Sequence, residues 1–136
     1  MDVQKSGIDR RRFYRYSVDY PISYNLKDQP ELYTGIAMNL SEGGLLACFF
    51  DRIHIGSELD VEMFYTHELQ FTSFNVLARI VWKDIMETSE AIEYQYGLEF
   101  IRMDREEQDK LLRLLTSINP AFSYRSREDA VFQKTS

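Results

Sequence analysis

Apolar and polar residues alternate along most of the first hundred positions of this chain. Four runs have an apolar residue at every second position, namely 18–26, 59–65, 76–82 and 92–100, and run 32–40 repeats the alternation with Thr34 as the exception. Period two is typical of a strand with one buried face. The stretch "LLACFF" (45–50) is continuously apolar and predicts a shorter, more fully buried strand. Six strands with short connections predict an all-β fold, a six-stranded antiparallel β-barrel.

Two irregular stretches interrupt this pattern. Phe71 is followed by Phe74, a slip of one position, which predicts a β-bulge near residues 72–73. After the slip, Val76, Ala78, Ile80 and Trp82 are predicted to face one way. The stretch "KDIMETSE" (83–90) is predicted to be a loop.

The period changes near the C-terminus. Leu111, Leu114, Leu115 and Ile118 are spaced as one stripe of a helix. A helix over about 104–118 is predicted to begin at Asp104 as N-cap, with Glu107 completing a capping box. Its stripe would cover one end of the barrel or pack on a partner. The predicted organisation is a flexible segment 1–9, one domain over 10–118 and a polar tail 119–136.

Composition and charge narrow the possible functions. The net charge of −6 argues against binding extended nucleic acid, although residues 1–15 hold five Lys/Arg against two Asp/Glu. Such a local excess suits a small anionic ligand. No apolar run approaches the roughly 20 residues of a membrane span, and no secretory signal is present, so we expect a cytoplasmic protein without membrane insertion. The single cysteine, Cys48, excludes an internal disulfide.

Catalytic and metal-binding patterns are not found. His54 and His67 lie in loop-like stretches without cysteine or carboxylate at ligand spacing, so no metal site is expected. No nucleophile has a recognisable base partner, and no phosphate-binding or dinucleotide fingerprint occurs. The sequence therefore predicts neither catalytic residues nor a cofactor.

An arginine-rich stretch precedes the first strand. In an extended backbone, Arg11 and Arg15 would point to the same face, about 13 Å apart, and Arg10 could join them from an irregular segment. Arginine pairs bidentately with phosphate or with the O6/N7 edge of guanine. The alternative interpretation is a solvated charge run that keeps the N-terminus soluble.

The stretch "NLSEGG" lies where the second predicted strand ends. Asn39 and Ser41 are two residues apart and would project to one face of an extended backbone. Gly43 and Gly44 permit positive φ, and at least one would let a backbone or a ligand approach closely. The alternative is an ordinary polar turn between strands.

The two stretches together resemble the PilZ domain, whose pattern is R-x-x-x-R followed by [D/N]-x-S-x-x-G. Here these residues are Arg11, Arg15, Asn39, Ser41 and Gly44. "VLARIVW", "YGLEFI" and the C-terminal helix are similar to the second half of that family's split-type barrel. The resemblance covers roughly residues 8–118.

The resemblance implies a bacterial, non-enzymatic receptor for cyclic di-GMP that regulates a protein partner in motility, polysaccharide export or pilus function. It implies that Arg11 and Arg15 engage guanine edges and phosphates, while Asn39, Ser41 and Gly44, with Gly43 beside them, hold the ligand on the barrel. Arg10 would influence ligand stoichiometry. Trp82 would offer a stacking face or serve as a core or rim aromatic.

One departure from the family pattern bears on affinity. Position 39 is more commonly Asp, whose carboxylate can accept from both N1–H and N2–H of guanine, whereas Asn39 has one accepting oxygen. Micromolar binding is therefore expected. Two alternatives stay open: an interaction module with weak or no nucleotide binding, and a barrel binding single-stranded nucleic acid, which the net charge disfavours. Both monomer and homodimer are compatible with the sequence.

Overall fold

The computed structural model describes residues 15–121, which form a barrel and one helix. The strands are β1 (Tyr16–Leu26), β2 (Tyr33–Leu40), β3 (Gly44–Phe49), β4 (Glu58–His67), β5 (Gln70–Glu87) and β6 (Ile92–Arg102), followed by α1 (Arg105–Ile118). All pairs are antiparallel, and the strands close in the order β1-β2-β3-β6-β5-β4. The predicted fold class is confirmed. The predicted flexible segment 1–9 and most of the predicted tail lie outside the described residues.

The barrel interior is filled by alternate side chains, as the period-two pattern of β1 and β4 predicts. Ile22 and Tyr24 of β1 are buried, and so are the four predicted inward residues of β4: Leu59, Val61, Met63 and Tyr65. Tyr24 stacks on Phe49 with ring centroids 4.2 Å apart. Burying such side chains stabilises the fold by roughly 1.5–3 kcal/mol each relative to exposure.

Helix α1 packs on the barrel. Leu111, Leu114 and Leu115 belong to the same buried cluster as the strand side chains, so the chain itself covers this stripe. Asp104 occupies the N-cap position but makes no side-chain capping hydrogen bond, and the predicted capping box is therefore wrong. Glu107 instead accepts a hydrogen bond of 2.7 Å from the Asn75 amide, which ties the first turn of the helix to β5.

The inward face of β2 differs from the prediction. Ile36 and Met38 are exposed, as is Leu32 before the strand, whereas Ala37 and Leu40 are fully buried. The register shows the reason: Ala37 lies opposite Ala47 and Asn39 opposite Leu46, so Met38 is an extra residue that reverses the alternation. β3 is likewise less buried than predicted, because Leu46 and Cys48 are half-buried and Phe50 is exposed.

Two predictions for β5 are wrong. The pairing of β4 with β5 runs without a shift from Glu58↔Arg79 to His67↔Gln70, so residues 72–73 contain no bulge. The slip arises because Phe71 faces outward and stacks on Phe64, with ring centroids 5.9 Å apart. Residues 83–87 are strand rather than loop, since they pair with β6.

Tyr96 links the barrel interior to the loop after β3. Its hydroxyl accepts a hydrogen bond of 2.8 Å from the Ile53 amide and donates one of 2.9 Å to the Asp51 carbonyl. We expect Tyr96→Phe to lower the free energy of unfolding by about 1–3 kcal/mol, because the buried Ile53 amide loses its partner. Urea unfolding measures this value.

The matched control for Tyr96→Phe is Tyr94→Phe. Tyr94 packs against the Tyr96 ring, with centroids 6.2 Å apart, but its hydroxyl makes no hydrogen bond to another residue of the region 15–121. We expect the control to change stability by less than about 0.5 kcal/mol. Equal effects of the two substitutions would show that the Tyr96 hydroxyl is not important for stability.

Candidate functional site

The turn between β2 and β3 is organised by Ser41. The Ser41 amide donates to the Gly44 carbonyl at 2.9 Å. The Ser41 hydroxyl accepts from the amides of Gly43 and Gly44 and donates to the Gly44 carbonyl, all at 3.2 Å. A hydroxyl has one proton to donate and two lone pairs, so these bonds fill its capacity. Ser41, which is 8% exposed, therefore holds the turn in shape.

Gly44 is required by the approach of β6. A Cβ atom on Gly44 would overlap the Leu98 carbonyl oxygen and would lie 3.2 Å from the Leu98 carbonyl carbon. Neither Gly43 nor Gly44 has a positive φ, so the prediction that they are needed for positive φ does not apply. The sequence also predicted the close approach of a backbone or a ligand, and at Gly44 the structure shows the approach of the β6 backbone.

Two β-bulges set the direction of the side chains that face this turn. Met38 is the extra residue in β2, and it turns Asn39 to the outside of the barrel. In β5, Ile80 lies opposite Leu98 but Trp82 lies opposite Gly97, so Val81 is extra. Ile80 is buried, whereas Trp82 is 46% exposed. Trp82 therefore does not share the face of Ile80, as the alternation predicted, because the bulge redirects it outward.

These bulges align Asn39 and Trp82 in one row across four strands. Asn39 lies opposite Leu46, Leu46 opposite Gly97, and Gly97 opposite Trp82. Directly opposite residues share a face of the sheet. Three strand spacings separate the ends of the row, roughly 14 Å. A Cβ on Gly97 would lie 3.2 Å from the Trp82 Cβ, so glycine leaves the space beside the indole open.

A cavity of about 540 Å³ lies over this row. That volume is within the range of small-molecule sites. Its lining residues are Arg15, Asn39, Leu40, Ser41, Gly43, Gly44, Leu45, Leu46, Val81, Trp82, Gly97, Leu98 and Glu99. The cavity thus combines an apolar floor with a polar turn on one side and an indole on the other.

Two of the lining residues are charged, Arg15 and Glu99. Behind Glu99, Arg79 donates to Glu58 at 3.3 Å and lies 4.0 Å from Glu99. The hydrogen bond from Arg79 lowers the pKa of Glu58 below its ordinary value. Arg79 is thus paired with both carboxylates, and among the described lining residues the positive charge is that of Arg15.

The family model for the PilZ domain matches residues 9–117. The chain belongs to the PilZ domain family. A comparison with curated protein sequences finds no match.

Solved structures share the PilZ fold at low sequence identity. The Bacillus subtilis inhibitor of motility MotI/DgrA is 17% identical with a TM-score of 0.63, and the match covers 79% of this chain and 50% of that one. Escherichia coli YcgR in complex with c-di-GMP is 20% identical with a TM-score of 0.64, covering 91% and 51%. This chain therefore spans about half the length of both proteins.

The isolated PilZ domain of Escherichia coli YcgR, solved with c-di-GMP, matches almost end to end. It is 18% identical with a TM-score of 0.60, and the match covers 90% of this chain and 98% of that one. At these identities the likeness shows the fold.

The structure brings most of the predicted site residues of this PilZ domain together. Arg15, Asn39, Ser41, Gly43, Gly44 and Trp82 all line the cavity. Arg10 and Arg11 lie outside the described residues. The sequence interpretation missed Leu46, Val81, Gly97 and Glu99 as lining residues. "YGLEF" contains two of them, but their place opposite Trp82 and Gly44 depends on strand register, which alternation alone does not provide.

Two further features are absent from residues 15–121 of this PilZ domain. That region has no helix long and apolar enough to cross a membrane. It also contains no cluster of three or more His, Cys, Asp or Glu side chains able to hold a metal ion.

Proposed function

We propose that this PilZ domain is a bacterial receptor for cyclic di-GMP and that the cavity over β2, β3, β5 and β6 is its binding site. The observation that carries the proposal is the convergence of six predicted site residues on one cavity of about 540 Å³. Two solved YcgR structures of this fold contain c-di-GMP. The ligand's two purines and two phosphates suit an apolar floor with a cation beside it.

Each side of the cavity has a proposed role. Arg15 pairs with a phosphate or with the O6/N7 edge of guanine. Asn39 accepts one hydrogen bond from the Watson–Crick edge of guanine, and its NH₂ group limits the affinity to the micromolar range. The Gly43–Gly44 turn, held by Ser41, lets the ligand approach the backbone. Arg11, and Arg10 beside it, add positive charge from the segment preceding Arg15.

Trp82 offers a stacking face for a guanine at the end of the row. We expect Trp82→Ala to weaken cyclic di-GMP binding by about 1–3 kcal/mol, because the base loses its aromatic partner. Trp82→Phe should retain most of the affinity. A calorimetric titration of each variant measures the difference. Equal affinity of Trp82→Ala and the wild type would remove Trp82 from the site.

The single tryptophan of the chain gives a direct test of the binding site. Since Trp82 lines the cavity, cyclic di-GMP should change the intrinsic fluorescence saturably, while cyclic di-AMP at the same concentration should not. A calorimetric signal without any change in fluorescence would place the ligand elsewhere and would contradict the proposed site.

Signalling would then run through a protein partner in the cytoplasm, where a nucleotide messenger acts, without a catalytic step. Ligand binding would hold Arg15 against the ligand and change the surface presented to the partner. The fold is similar to the solved structure of an inhibitor of motility, and this similarity supports a regulatory role of this kind. A partner interaction that is unchanged by cyclic di-GMP would instead favour a constitutive interaction module.

A further inference from the structure

Within residues 15–121, one strand edge has no partner strand beyond the closed barrel. β5 pairs with β4 as far as Arg79↔Glu58, and Ile80 then bonds to the backbone of Gly56 and Ser57. Further along, residues 83–87 pair with β6 alone among the described strands. We call the opposite side of residues 83–87 the free edge. An edge strand of this kind is a template for pairing with another chain.

Two hydrogen bonds show which backbone groups point to the free edge. The Thr88 amide donates to the Ala91 carbonyl at 2.9 Å, so Thr88 and Ala91 form a hydrogen-bonded pair. Hydrogen-bonded pairs alternate along an antiparallel ladder, so every second residue before Thr88 bonds to β6 and the residues between them point away from it. The Ile85 amide donates at 2.8 Å to the carboxylate of its neighbour Asp84, as expected for an amide directed away from β6. Both observations direct the N–H and C=O groups of Lys83, Ile85 and Glu87 to the free edge.

The free edge carries one charged side chain on each side of Ile85, and the two charges are opposite. Ile85 is 50% exposed, and Lys83 and Glu87 lie two residues before and after it with opposite charges. The same spacing places Lys83, Ile85 and Glu87 on one face of the ribbon. Opposite charges at equal distances from a centre are complementary to a second copy of the same strand in antiparallel orientation.

We propose that a second copy of this chain pairs with the free edge in antiparallel orientation, with Ile85 opposite Ile85 at a two-fold axis. Lys83 of each copy then lies opposite Glu87 of the other, and about six backbone hydrogen bonds join the strands. Centring the pair on Asp84 would instead bring two carboxylates together. If the two-fold axis passed between two neighbouring residues, each residue would lie opposite one that points to the other face of the sheet. A two-fold axis perpendicular to the sheet does not permit this, because it keeps every side chain on its own face.

This dimer is expected to be weak. The two five-residue edges form an interface at the small end of the range for specific complexes. Two contacts within each copy are lost when the dimer forms. The Lys83 Nζ leaves its position over the Tyr94 ring, 5.5 Å from the ring centroid, and the Ile85 amide loses its hydrogen bond to the Asp84 carboxylate. We therefore expect a dissociation constant of about 10–100 μM, so the dimer populates only in concentrated or locally enriched protein.

Charge exchange tests the register directly. Sedimentation velocity of the full chain between about 5 and 500 μM should show a shift from monomer to dimer. Lys83→Glu and Glu87→Lys should each weaken the dimer at least tenfold, because like charges then face each other. The double exchange, with both substitutions in one chain, should restore it, and an equimolar mixture of the two single variants should form a heterodimer.

Two outcomes would overturn the proposal. The first is a monomer at every concentration. The second is a dimer that the single substitutions leave unchanged or that the double exchange does not restore, since either result places the contact elsewhere. Because neither Lys83 nor Glu87 lines the cavity, cyclic di-GMP titration of the same variants reports separately on the proposed ligand site. The dimer can thus fail while that site stands, and the reverse also holds.

Discussion

Replacing Gly44 by alanine is expected to lower the free energy of unfolding by about 2–4 kcal/mol. The added methyl group would overlap the carbonyl oxygen of Leu98, a backbone atom. It can be accommodated only if β3 moves away from β6, where Gly44 pairs with Glu99 and its neighbours continue the ladder. Urea unfolding followed by far-ultraviolet circular dichroism measures the loss.

Gly97→Ala is the matched control for Gly44→Ala. Its Cβ would lie 3.2 Å from the Trp82 Cβ, so β5 and β6 need to separate by only a few tenths of an ångström. We expect a loss of about 1 kcal/mol or less, together with weaker ligand binding because the methyl group enters the cavity. If Gly44→Ala proved as stable as the wild type, the close approach of β3 and β6 at this turn would be wrong.

Arg15→Ala is expected to weaken cyclic di-GMP binding by about 1–3 kcal/mol, roughly a 5-fold to 150-fold rise in the dissociation constant. Arg15 lines the cavity, and its guanidinium can make two parallel hydrogen bonds to a phosphate or a guanine edge. Arg15→Lys keeps the charge but removes this geometry, so its affinity should fall between the two.

Arg79→Ala is the control for the general loss of positive charge. Arg79 donates a hydrogen bond to Glu58 at 3.3 Å and does not line the cavity. Its removal should leave the dissociation constant within about twofold of the wild type. Equal losses for Arg15→Ala and Arg79→Ala would mean that net charge, rather than a specific contact of Arg15, attracts the ligand.

The sequence was sufficient for the fold class, the strand count and the helix, because each depends on local periodicity. Ile22, Tyr24 and the inward residues of β4 follow strict alternation and are buried as predicted. The leucine stripe of α1 follows helical spacing and packs on the barrel. The resemblance to the family pattern also located the polar part of the cavity, since Arg15, Asn39, Ser41 and Gly44 match the PilZ motifs and line it.

The errors occur where a bulge or a pairing partner overrides local alternation. Met38 and Val81 each add one residue to a strand, so the inward face of β2 and the direction of Trp82 were predicted wrongly. A bulge can be recognised only once the opposing strand is known. Gly97 and Glu99 were missed for the same reason, since their place in the cavity depends on the register of β6 with β3 and β5. The strand character of residues 83–87 likewise depends on pairing with β6.

The most direct test of the central claim is a calorimetric titration of the wild-type chain with cyclic di-GMP. At about 50 μM protein, a micromolar site predicts saturable heat with a defined stoichiometry, and the same titration of Arg15→Ala predicts a markedly weaker isotherm. An absence of heat with the folded wild-type protein at about 1 mM ligand, confirmed at a second temperature, would contradict the account.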